Sequence, residues 1–257
     1  MYDLSARERA LALLAQGRSL NSVSRETGIS RAAIRSRRHR LHPRHRLHPL
    51  PRSATPDPDP HAAGGSYAYL LGLYLGDGCI SAHPRSGHYL RIACADAWPG
   101  LIRECREAIV SVIPGVGVYG ARKQGCTMVT SYSRHWPLLF PEHGPGRKHE
   151  RRIALESWQQ DIVDAHPWEF VRGLIHSDGC RVTNRTTRLV GGEQRRYTYP
   201  RYFFTNVSAD IRRLYTDTLD RLGVTWTRCT RGGIPFNISV ARRASVALMD
   251  LHVGPKH

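Results

Sequence analysis

Apolar positions in SARERALALLAQG, residues 5–17, recur at helical spacing, with Ala10, Leu11, Leu13 and Leu14 on one side and Gly17 as a stop. In LNSVSRETGISRAAIRSRRHRL, residues 20–41, Leu20, Val23 and Ser24 precede a turn at Thr27-Gly28-Ile29. Ser30 is placed to N-cap a further helix, with Ala33 and Ile34 facing inward. The pattern predicts three short helices over residues 1–41. Periodicity then vanishes in HPRHRLHPLPRSATPDPDPHAAGGS, residues 42–66, where prolines recur, so an extended tether is expected. From Tyr67 onward the pattern alternates between helical and strand periods in the order αββαββα, and that order appears twice, over 67–160 and 161–257. Each copy opens on a related phrase, LLGLYLGDGC (Leu70 to Cys79) and VRGLIHSDGC (Val171 to Cys180). Aligned on a shared Ala-Asp end, Ala95-Asp96 and Ala209-Asp210, the second hairpin is thirteen residues longer than the first.

The predicted fold is therefore α/β (α+β): a pseudo-two-fold tandem of αββαββα halves, preceded by a small all-α domain. The second and third predicted helices resemble a helix-turn-helix of the transposase and recombinase kind. Arg31, Arg35, Arg37, Arg38 and Arg40 on the last helix suit a recognition helix that reaches phosphates and base edges.

Charge sharpens that picture. The 257 residues carry a net charge of +17, and of 38 basic side chains only Lys123, Lys148 and Lys256 are lysine. Such an excess of guanidinium favours a polyanionic partner, nucleic acid before an acidic membrane. No apolar run approaches the length of a membrane span, and MYDLSARERA lacks the pattern of a secretion signal. Six cysteines without C-x-x-C pairing read as scattered reduced thiols of a cytoplasmic protein, and neither they nor the histidines reproduce a zinc spacing.

The repeated phrase carries the chemistry. Gly72 and Gly76, like Gly173 and Ser177, stand four residues apart, so each predicted helix bears a bare strip on which two backbones can approach closely. Leu70, Leu73 and Tyr74, with Phe170 and Leu174, are placed to seal the sides. Gly78 and Gly179 are expected as left-handed caps. Asp77 and Asp178 then fall at two helix C-termini, where the dipoles disfavour negative charge. If the glycine faces pair, the two carboxylates converge, and a hard divalent cation with oxygen ligands is the natural relief. Taken one at a time, these aspartates would be ordinary Asp-Gly turn residues.

The pair of phrases resembles the two motifs of single-chain LAGLIDADG homing endonucleases, over about residues 67–257. That resemblance implies paired helices at the interface between the halves, and Mg2+ or Mn2+ held by Asp77 and Asp178. It further implies lysines (here Lys148 and Lys256) beside the scissile phosphate, and sheets that follow the major groove of double-stranded DNA. Arg85, Arg91, Arg195, Arg196 and Arg201 are the candidate sheet contacts, and Arg31, Arg35 and Arg38 those of the helix-turn-helix. His176 and Ser177 stand where the family commonly has Asp-Ala, and Arg172 where it has a small or apolar residue. The implied function is a monomeric, sequence-specific DNA endonuclease of a mobile element. The alternatives are a non-cleaving DNA-binding regulator of the same fold and an RNA-splicing maturase.

Overall fold

The computed structural model describes residues 4–32, 34, 57–84, 86–231 and 234–257. They divide into two units, 1–56 and 57–257. In the first, helices α1 (Leu4–Ala15) and α2 (Leu20–Thr27) enclose a small core of Ala10, Leu13, Val23, Ile29 and Ile34. Ser19 caps α2, its hydroxyl accepting from the Ser22 amide at 3.3 Å, and Gly28 ends it at φ +68°. Residues 31, 32 and 34 are helical, and the rest of the predicted recognition helix lies outside the described residues.

The second unit holds the repeat. Helix α3 (Gly64–Asp77) leads into β1 (Gly78–Ala82) and β2 (His88–Ala95), then α4 (Pro99–Val112), β3 (Val118–Lys123), β4 (Cys126–Ser133) and the short α5 (Trp136–Leu139). A 3-10 turn at Lys148–Glu150 and helix α6 (Ser157–Ala165) follow. The second copy runs α7 (Pro167–Asp178), β5 (Gly179–Val190), β6 (Glu193–Thr205), α8 (Ala209–Arg221), β7 (Thr227–Arg231), β8 (Ile234–Val240) and α9 (Arg243–His252). The expected division at residue 160 falls inside α6, and residues 64–66 of the expected tether belong to α3. Among the described residues no helix is long and apolar enough to cross a membrane.

Each half builds a four-stranded antiparallel sheet of the same order, β1-β2-β4-β3 and β5-β6-β8-β7. Leu90, Ile92 and Cys94 of β2 and Tyr202 and Phe204 of β6 alternate into the core, which leaves the opposite face of each sheet open. Helix α3 is apolar on every side and buried from Tyr67 to Leu75, as an interior helix must be. One continuous core joins both halves around it.

Register corrects the alignment of the two hairpins. Gly78 pairs with Ile92 and Gly179 with Phe204, so the matched positions make the second hairpin eleven residues longer, not thirteen. Ala95-Asp96 closes a strand and the turn after it, whereas Ala209-Asp210 already opens α8.

Candidate metal and phosphate site

Helices α3 and α7 meet along their bare strips. A carbon added at Gly72 would lie 2.6 Å from the Phe170 carbonyl oxygen, and one added at Gly173 would strike the Tyr69 carbonyl and come 3.0 Å from the Gly72 Cα. The contact is therefore backbone on backbone. At the next turn Ser177 faces Gly76. Its hydroxyl lies 3.1 Å and 3.0 Å from the carbonyls of Gly173 and Leu174 and 3.3 Å from that of Gly72, so it spends its polarity on the seam itself.

Both helices end on their aspartate and pass into a strand with no intervening loop. Gly78 and Gly179 were expected in the left-handed region. They are extended instead, at φ −92° and −108°, because each is the first residue of a strand. Glycine is required there for space: an added carbon would sit 2.5 Å from the Tyr74 Cα at Gly78, and 2.7 Å from the Ile175 Cα at Gly179.

The seam thus brings Asp77 and Asp178 near enough that the charge of Asp178 acts on Asp77. Asp77 is solvent-exposed, yet the protein packed around its carboxyl, then the charge of Asp178, pushes its pKa up from 3.8 to about 6. Burial also raises Asp178, opposed by the Asn206 amide, which donates to its Oδ2 at 2.5 Å. Two residues beyond the pairs Gly78–Ile92 and Gly179–Phe204 stand Cys94 in the first half and Asn206 in the second. Asp178 is therefore pinned by an amide, whereas the equivalent position in the first half is the buried Cys94. Asn206 escaped the sequence reading because the Ala-Asp alignment placed it opposite the wrong residue.

Two lysines complete the site. The Lys148 ammonium donates to the carbonyls of Tyr74, Leu75 (3.1 Å) and Gly76 (3.2 Å), and the Lys256 ammonium to that of Ser177 at 2.9 Å. Each satisfies the orphan carbonyls at the end of one helix and offsets a dipole that works against the aspartates. Burial pulls both lysines down, Lys148 to about 8, while the two aspartates pull them back up. A cleft of about 460 Å³ opens beside Lys148, lined also by Asp178, Asn206, Arg147, His149 and Arg151, whereas Asp77 and Lys256 stand outside its lining. The Arg151 guanidinium donates to the carbonyls of Glu142 and Gly146 and so fixes the loop that presents Lys148.

The donor set suits a hard divalent cation. It offers two carboxylates, both disfavoured as anions by burial and one by the other, with hydrogen-bonded amide and ammonium groups around them. Among the described residues no three His, Cys, Asp or Glu side chains gather into a cage of their own, so remaining ligands would have to come from water and substrate.

No family model and no curated protein matches the sequence. Among solved structures, the chain is similar to I-DmoI in complex with DNA and Mn, at 14% identity and TM-score 0.46 over 76% of this chain and 99% of that one. LAGLIDADG meganuclease I-AabMI bound to uncleaved DNA matches at 12% and 0.46, over 72% and 83%. The N-terminal LAGLIDADG domain of WhiA matches at 9% and 0.46, over 76% and 83%. These solved neighbours are LAGLIDADG proteins. The likeness concerns fold alone, and the chemistry has to come from this chain's own residues.

The unusual residues of the second phrase belong together. Arg172 pairs with Glu104 at 2.5 Å and lies over the Tyr69 ring, and the Tyr69 hydroxyl lies 3.1 Å from Glu104 and 2.9 Å from His176 Nδ1. His176 is buried, and burial followed by the charge of Arg172 holds its pKa down at about 3. Arg172 and His176 thus form a polar strut from α7 to α4, and neither side chain lines the cleft.

The arginines named from sequence separate by place. Arg91 projects from the open face of the first sheet, bonded to Ser81 and 4.6 Å from the Tyr89 ring centroid. Arg195 and Arg201 share the open face of the second sheet, where Arg201 lies over Tyr199 and Phe203. Arg196, paired with Thr187, points to the other face. Arg31 donates to Asn21 at 3.0 Å within its own unit. Arg35, Arg38 and Arg85 lie outside the described residues.

Proposed function

We propose that the chain is a double-stranded DNA endonuclease in which Asp77 and Asp178 jointly hold a divalent cation, Mg2+ or Mn2+, against a phosphodiester. The convergence of the two carboxylates at a backbone-tight seam, each flanked by a lysine, carries this reading. When bound, the ion supplies charge neutralisation at the phosphate and acidifies a water. Asn206 fixes one orientation of the Asp178 carboxylate. Lys256 spends one N–H on Ser177 and keeps two for a phosphate oxygen, whereas all three of Lys148 are engaged with α3 carbonyls. Lys148 therefore contributes charge and position, and Lys256 direct contact. Arg147, His149 and Arg151 draw the backbone into the cleft, and the open sheet faces with Arg91, Arg195 and Arg201 take the flanking duplex. One chain supplies both carboxylates, so a monomer suffices.

The test is cleavage of a duplex selected by the full chain from a randomised library. Cutting with Mg2+ and not with EDTA, lost in Asp77→Asn and in Asp178→Asn with binding retained, is the expected result. Binding without nicking by the wild type would establish the second reading, a non-cleaving DNA-binding regulator, which the N-terminal helices favour.

A further inference from the structure

The second sheet carries an arm that the first lacks. Strand β2 pairs with β4 along its whole length, from His88 opposite Ser133 to Ala95 opposite Cys126. Strand β6 pairs with β8 only from Tyr202 to Thr205. Its remaining residues pair with β5 alone, from Val182 opposite Arg201 to Val190 opposite Glu193. The result is a two-stranded ribbon leaving the sheet, closed by Gly191 and Gly192 at φ +61° and +84°. Nine residues on each side, eight steps of strand rise, give a reach of about 27 Å. Every residue from Thr187 to Thr198 is exposed.

The chemistry of the ribbon is one-sided in charge. Arg188, Arg195 and Arg201 share the face continuous with the open side of the sheet, together with Asn184, Tyr197 and Tyr199. Arg185 and Arg196 stand on the reverse face, and Glu193 is the only carboxylate of the arm. Asn184 donates to the Tyr199 hydroxyl at 2.6 Å and Arg201 lies over the Tyr199 ring, which stiffens the base. At the tip Leu189 is 72% exposed beside Val190, an apolar pair that finds no core. A twisted two-stranded ribbon with cations on both faces matches a DNA groove in width and charge, and an apolar tip suits the less polar groove floor.

We infer that this arm lies along DNA beyond the sheet and makes the footprint unequal, longer by about 7–8 base pairs on the side of the second half. The inference rests on the DNA-binding reading above and does not require cutting. It also assigns Arg188, which the sequence did not single out, to the same surface as Arg195.

The experiment compares the full chain with one in which residues 186–197 are replaced by Asn-Gly, a two-residue hairpin turn. Hydroxyl-radical footprints are taken on the duplex that the full chain selects from a randomised library. Protection is expected to shrink on one side only in the trimmed chain. Because the N-terminal unit is the same in both proteins, the difference belongs to the arm. The R188Q/R195Q pair, which keeps the ribbon, is expected to reduce the salt slope of log K by about 1–2. An unchanged footprint and salt slope, or an effect on self-association instead, overturns the inference while leaving DNA binding intact. If the full chain selects no duplex, the DNA reading itself fails and the arm with it.

Discussion

Replacing Gly72 with alanine sets the new carbon 2.6 Å from the Phe170 carbonyl oxygen, 2.7 Å from the Leu174 nitrogen and 2.8 Å from the Gly173 carbonyl carbon. All three are backbone atoms, so no rotamer can move aside. Carbon contacts become comfortable only near about 3.5 Å, and α3 and α7 must part by roughly 0.7 Å or more. Overpacking of this kind costs about 1–3 kcal/mol. Alanine returns about 1 kcal/mol of helix propensity. The net loss, up to roughly 2 kcal/mol, lowers the melting temperature of a unit this size by up to about 8 °C. Gly65→Ala in the same helix is the control, since its added carbon meets only the Glu169 and His166 side chains, at 3.4 Å and beyond. That change is expected to be neutral or stabilising. Scanning calorimetry of both variants decides the matter. Parting the helices also separates the aspartates, and misplacement on the ångström scale costs up to about 100-fold in rate, so cleavage should fall more than binding. A Gly72→Ala protein that melts at or above the wild type and behaves like Gly65→Ala would refute the backbone-tight seam.

Three further outcomes follow from the site. Asp77 binds more protons folded than unfolded between its ordinary 3.8 and about 6, so stability falls as pH rises through that window and the carboxylate is a net cost above it. Asp77→Asn is therefore expected to raise the melting temperature at pH 8 in EDTA while abolishing cutting, and a melting point below wild type would contradict this. Lys148→Met strips the Leu75 and Gly76 carbonyls of their lysine donor, with Tyr74 still accepting from the Gly78 amide, and should lose more thermal stability than Lys256→Met, whose deficit should show in cleavage; equal melting losses would erase the distinction between the two. His176, held at about 3, stays neutral where an unfolded histidine takes a proton near 6.5. The wild type should lose stability against His176→Phe as pH falls from 6.5 toward 3, measured by urea titration, and parallel profiles would argue against a buried neutral ring.

The seam was legible in the sequence because glycine spacing and a repeated Asp-Gly are local signals. Gly72 and Gly173 meet at the helix contact that their spacing demanded, and Asp77 and Asp178 end the two helices that make it. The lysines were legible only as late elements of each half, and their attachment to helix carbonyls required the folded geometry. Gly78 and Gly179 misled because a helix-ending glycine ordinarily takes positive φ, whereas here lack of space and not handedness selects it. Asn206 was hidden because strand register, on which its equivalence to Cys94 depends, is set by partners distant in the chain. Helix α6 was missed as a separate element, and it covers the residue at which the halves were expected to divide.

The direct passage from α3 into β1, and from α7 into β5, has a mechanical consequence. Each carboxylate is bolted to the root of a hairpin, so a strand that tilts on an ill-fitting duplex swings its acid out of line. In the proposed nuclease, sequence checking and bond cutting then share one lever.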